Sequence, residues 1–538
     1  MLERWWRPLL VLGASLHVVT LFGELPEPDA SLYASIAKHI AQSGDWVNLI
    51  AYNVDWLDKP HFPFWCTALS FKLFGVGVVS ARIPALLFFA LGVFATWKLA
   101  LLIHSRAVAQ IAVLVLLTSQ HAVMSNADTR AEPFLIGMLT TAVWLAVRAS
   151  KAMKAGAPWL GSLVGASVFT ALAMMTKGPF LALPVTCAVV LPPLFRREPL
   201  FLARWLLAVP IVFLTLAPEL VCLWLQFDAH PEKTVFETTG VSGVRWFFWD
   251  SQFGRFANSG PIRGRGDPTF FFHTVLWAFL PWALLLYAAA GKRVLELRRR
   301  IATSDPWSWA VVVPLLVLFS ASRFQLPHYL NILFPFFALL VAAFVVELKT
   351  ERIADLTQRI VLFGMGGFMG WLVVNFEGPH HLAVAVVLGV SMVVVVAVPL
   401  GSLTVRSVLG AAVIHLVHQL SFVPATLEYQ VGGQAAELAN TRPPRRTVML
   451  DLSSHAFAFH LHEAALWFTD ADFRRELPKE PMRVLARKET LDALRAEGVA
   501  LTTLKTWPSF HASTPTGPFL DATRRPSVLE TWELAETP

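Results

Sequence analysis

The chain alternates long apolar runs with short polar connections, and about 20 apolar residues are what a helix needs to cross a bilayer. Thirteen such runs lie near residues 5–22, 80–103, 107–123, 132–148, 158–175, 179–195, 204–225, 273–291, 307–321, 329–347, 360–375, 381–399 and 403–422. The segments 23–79 and 226–272 break this rhythm, being polar and much longer than a turn. Within the first, PDASLYASIAKHIAQSGDW places Leu32, Tyr33, Ile36 and Ile40 on one helical face and offers Gly44 as a stop. That pattern predicts an amphipathic helix along the membrane surface, with Asp29 as its N-cap. After Phe422 the apolar runs cease. Residues 430–538 then read as a small α/β domain: RTVMLDLSS and PMRVLARK are strands, KETLDALRAEGV is a helix closed by glycine, and about fifteen residues rich in Pro, Thr and Glu form a loose end. The expected architecture is mainly α, a polytopic membrane domain over 1–429 followed by the α/β domain.

Composition agrees, since 55% of residues are hydrophobic and only 15% charged, outside the range of soluble globular proteins. The opening MLERWWRPLLVLGASLHVVTLFG puts arginines before an apolar run without a small-residue cleavage site, so it is expected to stay as a first span with a cytoplasmic N-terminus. Lys and Arg then sort the loops: Arg148, Lys151 and Lys154, Arg196, Arg197 and Arg204, KRVLELRRR, Lys349, Arg352 and Arg359, and Arg406 all fall on the inner side. The net charge of +7 is therefore explained by orientation in the membrane, and no nucleic-acid partner is expected. Cys66, Cys187 and Cys222 lie far apart without metal-ligand spacing and read as inert fillers.

Unusual polar residues gather on the opposite side. They are Asp29, with Tyr33 four residues on; Asp58 and Lys59 among aromatics in DWLDKPHFPFW; Asp128, Arg130 and Glu132 in NADTRAEPF; Lys177 in MMTKGPF; Arg255 in QFGRFANSG; and Arg323 in SRFQLPHY. Several have a plain structural reading. Asp29 caps a helix, Glu24 and Glu27 are loop acids beside prolines, Lys59 snorkels, and the residues of NADTRAEPF pair with one another. Lys177 resists such a reading, because the turn that holds it is too tight to lift it into water. Carboxylates and cations converging on one membrane face make a pocket able to grip a lipid phosphate and to remove a proton.

The succession Asp29–Tyr33, SGDW, DKPHFPFW, Arg82 in SARIPALLF, NADTRAEPF, MMTKGPF and SRFQLPHYLNILFP resembles the membrane-embedded GT-C glycosyltransferases. The nearest resemblance is to the bacterial aminoarabinose transferases that modify lipid A and to the protein O-mannosyltransferases of the dolichyl-phosphate-mannose-protein mannosyltransferase superfamily. It covers residues 1 to about 345 in order, with the later spans and tail matching in layout. The resemblance implies a GT-C fold in a bacterial inner membrane and a sugar donor carried on undecaprenyl or another polyprenyl phosphate. It also implies a lipid, glycan or protein acceptor, with inverting transfer on the periplasmic face, where the C-terminal domain would also lie. By position, Asp29 and Asp128 match the family's catalytic acids, and Lys59 and Lys177 match the lysines expected at the donor phosphate. Arg323 and Arg255 are further candidates for that phosphate, and Tyr33, Asp58, Arg82 and His328 are supporting candidates.

Two departures stand out. Relatives often have Glu and Arg where this chain has Ala30 and Leu32, so a phosphate contact is missing or comes from Arg255, Arg263 or Arg265. Asp58 replaces a Glu that in aminoarabinose transferases joins a His at a structural zinc; His273 is read as structural, no metal ligand or cofactor is assigned, and a zinc or other divalent metal is left open. Two rival classes remain at this level. A secondary transporter or lipid flippase would place charge near the midplane and show repeat symmetry; a binding or assembly protein with a sensor tail would make the acids incidental caps.

Overall fold

The computed structural model describes residues 2–538 except 129, 260–262, 300, 302–304, 377–380, 399, 478–479 and 511–515. The apolar runs fold as helices because lipid offers their backbones no other hydrogen-bond partners. The elements nearest the polar loops are α1 (Leu2–Val19), α2 (Asp29–Ser43), α3 (Phe62–Phe74), α4 (Val78–Ile103), α5 (Arg106–Thr118), α6 (Gln120–Asp128), α7 (Ala131–Ala155), α8 (Leu160–Lys177) and α9 (Ala182–Arg196). Two small hairpins decorate the long loops, β1 (Ile50–Ala51) with β2 (Val54–Asp55) and β3 (Thr234–Val235) with β4 (Thr238–Thr239).

The chain is a multi-pass membrane protein. Among the described residues nine helices are long and apolar enough to cross a bilayer, or ten if α5 and α6 count as one bent span. The expected thirteen is larger for identifiable reasons. The run at 273–291 divides into Phe270–Ala278 and Ala283–Arg298, while Pro306–Ala321 and His381–Ala397 are shorter than a full crossing.

The bend between α5 and α6 measures 54° and falls at Ser119. A break inside the bundle frees carbonyls that a continuous helix would satisfy, and each must find a donor. His17 Nε2 donates to Leu117 O at 2.9 Å and His415 Nε2 to Thr118 O at 3.1 Å, while the Gln120 amide bonds Leu280 O at 2.9 Å. Asn126 Nδ2 in turn donates to His17 Nδ1 at 2.6 Å, so the polar side chains fix the direction in which α6 delivers Asp128. Alongside, α4 and α7 approach backbone to backbone: a Cβ on Gly137 would lie 2.1 Å from the Phe88 carbonyl.

That close packing brings Arg82 on α4 to a buried position where its guanidinium holds two loops at once. Nε and Nη2 donate to Ala127 O at 3.1 and 2.9 Å, Nη2 also to Glu24 O at 2.7 Å, and Nη1 to Gly23 O. The segment entering α2 and the end of α6 are therefore tied to one side chain.

α2 departs from the expected surface helix. Ala30, Leu32, Tyr33, Ile36, Ala37 and Ile40 pack with Phe64, Ala68 and Phe71 of α3 and with Phe459 from the C-terminal region, and even Lys38 is buried. Gly44 does end it, in a left-handed conformation with its amide on Ile40 O. Asp29 is the first helical residue rather than the N-cap, a position held by Pro28, and no side chain caps this end. The carboxylate is thus left for other partners.

From Val431 onward the chain forms a five-stranded sheet with flanking helices. Its strands are β5 (Arg446–Leu450), β6 (Ala465–Phe468), β7 (Met482–Arg487), β8 (Thr502–Ser509) and β9 (Glu530–Glu536), in the order β6-β5-β7-β9-β8. β6, β5 and β7 run parallel, and β9 runs antiparallel to both its neighbours. The expected loose end is therefore an interior strand. Its composition concealed a period of two, in which Trp532 and Leu534 enter one core face and Ala535 the other.

Replacing Arg82 by Met should leave the Gly23, Glu24 and Ala127 carbonyls without donors, at about 1–3 kcal/mol for each that stays unsatisfied. The thermal inactivation midpoint of Arg82→Met in detergent should fall well below that of the parent protein, and an unchanged midpoint would refute the brace.

Candidate active site

Three short connections bring charged side chains to the same end of the bundle: the entry to α2, the α6–α7 connection, and the turn after α8. Arg130 lies between the first two. Its Nη1 is 3.2 Å from Asp29 Oδ2, its Nε pairs with the Asp128 carboxylate, and Nη1 donates to His328 Nδ1 at 3.2 Å. His328 Nε2 is 3.7 Å from Glu132 Oε1, which accepts from Lys177 Nζ at 2.5 Å. The Lys177 ammonium also sits 4.4 Å above the Tyr329 ring centroid, a favourable cation–π placement. A fourth acid completes the series, because Asp58 pairs with both Lys59 and Arg255.

Exposure separates these carboxylates. The Asp29 side chain is 39% accessible, Asp128 20% and Glu132 2%, so Asp29 is the one open to an incoming group. Burial opposes the Arg130 charge, but Asp128, Asp29 and Glu132 outweigh it and raise its pKa, keeping the bridge positive. Burial likewise works against the Asp58 anion, yet Lys59 and Arg255 bring its pKa down to about 2. The Tyr33 hydroxyl is pushed well above its usual range by burial and the nearby acids.

Beside this cluster is a cavity of about 500 Å³. Asp58, Lys59, Lys177, Arg255 and Tyr329 are among its polar lining, and Leu183, Phe180, Phe247, Phe248, Phe253 and Phe319 are among its many apolar walls. The KGP turn forms part of its wall. Gly178 has φ +117°, which side-chain-bearing residues rarely adopt, and a Cβ there would meet the Gln252 amide at 2.2 Å. The turn is therefore pressed against the wide-wound helical stretch Trp246–Gly254, which carries the aromatic cover. Glu219, fully buried in the helix Ala208–Leu223, also faces the cavity, with Oε2 accepting the His61 amide at 3.0 Å and Oε1 bonding His61 Nδ1 at 3.0 Å.

Several sequence candidates thus meet. Asp29 and Asp128 share Arg130; Asp58, Lys59, Lys177 and Arg255 share the cavity; and His328 links the two groups. Others sit elsewhere. Tyr33 is in the α2 core, 4.8 Å from the Phe64 ring, and Arg82 braces loops. Arg323 is exposed and off the cavity wall although Ser322 and Phe324 line it, and Arg263 and Arg265 are exposed. The expected pairing within NADTRAEPF holds for Asp128 and Arg130 but not for Glu132, which reaches across to Lys177. Glu219 was overlooked, although a carboxylate inside an apolar run is itself a signal. His273 pairs with Asp267 at 3.5 Å near the surface, and among the described residues no three His, Cys, Asp or Glu side chains converge on a metal position.

Comparisons with known proteins place the fold. The family model described as dolichyl-phosphate-mannose-protein mannosyltransferase matches residues 58–222, which include Lys59, Arg82, Asp128, Glu132, Lys177 and Glu219. The undecaprenyl phosphate-alpha-4-amino-4-deoxy-L-arabinose arabinosyl transferase of Edwardsiella ictaluri is 29% identical over 386 residues, 69% of this chain and 65% of that protein. Its counterpart 1 in Pseudomonas fluorescens is 29% identical over 363 residues, 65% of this chain and 59% of that one. The matched stretches thus span less than two thirds of these relatives. Among solved structures, ArnT from Cupriavidus metallidurans bound to undecaprenyl phosphate superposes with a TM-score of 0.74 at 20% identity, covering 99% of this chain and 98% of that one. The fold, of the GT-C type, is therefore shared through the C-terminal sheet, beyond the stretch in which the sequence motifs are ordered.

The His61–Glu219 pair predicts a pH dependence. Burial opposes the imidazolium, but Glu219 raises its pKa above 6.5, so its stabilising contribution is complete below 6.5 and is lost as pH rises through the folded value. Thermal unfolding between about pH 6 and 9 should show this loss in the parent protein, and His61→Gln should lack that component.

Proposed function

We propose that this protein is an integral membrane glycosyltransferase that moves a sugar from a polyprenyl-phosphate donor to a lipid A, glycan or protein acceptor, with inversion. The observation that carries the reading is one apolar cavity furnished with Lys59, Lys177 and Arg255, beside an accessible carboxylate, Asp29, held by Arg130. In this reading residues 1–429 are the transferase domain and 430–538 a periplasmic domain. The protein sits in a bacterial inner membrane, its N-terminus cytoplasmic and the site periplasmic, as the basic inner loops support.

The aromatic and aliphatic walls take the first part of the donor's lipid, and the three cations take its phosphate. The acceptor oxygen attacks the anomeric carbon while the bond from that carbon to the phosphate oxygen breaks, and the electron pair leaves with polyprenyl phosphate. Lys59, Lys177 and Arg255 stabilise the charge gathering on the leaving group, and they are fixed beforehand by Asp58 and Glu132, which lowers the reorganisation needed. Asp29 receives the proton of an acceptor hydroxyl; toward an acceptor phosphate, already ionised, it orients instead. Asp128 acts through Arg130, keeping the guanidinium between the two acids. Arg323, off the cavity wall, is secondary to the three lining cations.

Incubation with labelled polyprenyl-phosphate sugars should release polyprenyl phosphate and label a lipid, glycan or protein fraction; uptake without transfer would favour a transporter. Asp29→Asn should lower transfer by about 10²- to 10⁴-fold while undecaprenyl phosphate binding persists. Lys59→Met should instead raise the donor KM and weaken that binding. Retained transfer in a folded Asp29→Asn variant would remove Asp29 from the mechanism.

A further inference from the structure

The segment around Asp29 carries a second set of contacts, all to the C-terminal domain. Glu27 Oε1 accepts from Ser454 Oγ and from the Ala456 amide, each at 2.6 Å, where the short helix His455–His460 begins. Lys38, further along α2, is buried at the other end of that helix, donating to the carbonyls of Ala458 and Phe459 at 3.1 Å each and to Leu461 O. Gln430 holds the loop from behind, its Oε1 accepting the Glu27 amide at 2.7 Å and its Nε2 donating to Leu25 O at 2.8 Å. Glu24 lies 3.2 Å from His460 Nε2. Acid thus meets the free amides of a helix start and ammonium meets the free carbonyls of its end, which admits one orientation only.

The helix so gripped leaves the carboxyl end of β5, beside which β6 and β7 run parallel. Folds built on such strands take their ligands outside these ends. Here the chain's own loop 24–28 contributes the carboxylate found at that end. Asp29 stands between the two grips, one residue of a helix that is held at Glu27 and again at Lys38, and its own direct ion pair is with Arg130. The donor-side cations stand on other elements: Lys59 follows β2, Lys177 ends α8, and Arg255 follows the Trp246–Gly254 stretch.

We infer that Glu27 and Lys38 are positioning residues through which the C-terminal domain sets α2, and with it the Asp29 carboxylate, against the acceptor. The inference rests on the assignment of Asp29 as the proton acceptor. A reacting carboxylate displaced by about 1 Å loses on the order of 10²-fold in rate. Because Glu27 and Lys38 bond none of the donor-side cations, and the β1–β2 hairpin before Lys59 keeps its own contacts with the domain through Tyr52 on His455 and Asn53 on the Trp467 amide, loosening this grip should slow turnover without loosening the donor.

The test uses the full-length protein, with kcat and donor KM for a polyprenyl-phosphate sugar and binding of undecaprenyl phosphate as readouts. Glu27→Ala and Lys38→Met should lower kcat by about 10- to 100-fold with donor KM and undecaprenyl phosphate binding unchanged. Glu27→Gln, whose amide oxygen still accepts both bonds, should restore most of the rate. Unchanged kcat in Glu27→Ala, or a fall that Glu27→Gln shares in full, overturns the inference; so does a fall matched by equal loss of undecaprenyl phosphate binding, which signals general unfolding. If Lys38→Met fails to accumulate, the Glu27 pair decides alone. Asp29→Asn measured alongside separates the two levels. Full transfer by that variant removes the premise and the inference together, whereas an inactive Asp29→Asn with an unslowed Glu27→Ala removes the positioning role only.

Discussion

A charge withdrawn from water must be paired, and the loop-bearing end of this protein is organised around that demand. Cations and acids alternate from Asp29 through Arg130 to Asp128, and His328 links Arg130 to Glu132, which pairs with Lys177 beside the two cations that Asp58 holds. Remove one member and its neighbours are left as uncompensated charge in a poorly solvated place. The alternation therefore fixes geometry more firmly than any single pair would. It also keeps three cations side by side around an otherwise apolar cavity, where their mutual repulsion would scatter them if Asp58 and Glu132 were absent.

The scaffold under this series is built from breaks that the rest of the bundle repairs. The bend at Ser119 is tolerable only because His17 and His415 supply the donors its carbonyls lack. The contact of Gly137 with Phe88 brings α4 close enough for Arg82 to reach Ala127. Without either device the acid on α6 would not be aimed at the acid on α2.

Much of this was legible in the sequence, and what was not has a physical reason. The helical plan follows from the length of apolar runs, and Asp29, Asp128, Lys59 and Lys177 stand out because charge on that side of the spans has no role in orientation. The N-cap assignment for Asp29 was wrong because capping depends on backbone angles that Pro28 takes over. Glu24 and Glu27 passed for loop acids because the partners that define them lie in the C-terminal domain, 427 residues away for Ser454 and Glu27. Glu132 was placed in its own turn because a local partner is the natural first choice, and only packing of α7 on α8 brings Lys177 nearer. β9 was hidden by its Thr and Glu, of which Thr531 and Glu533 alternate with Trp532 and Leu534 while Glu530 and Glu536 stand at the strand's ends.

The interior position of β9 has a consequence for how the protein is made. Helix α2 leaves the ribosome early, and domains generally fold in the order of synthesis. Its grip, however, lies on a domain whose sheet is incomplete until Glu530–Glu536 arrives to separate β7 from β8. A nascent chain interrupted before that strand already contains every charged residue of the candidate site, inserted and paired as far as the bundle can pair them. It lacks the partner that would hold α2 still. Synthesis of β9 is thus a checkpoint on the site, and a chain stopped before that strand would occupy the membrane with its acids and lysines in place and helix α2 unheld.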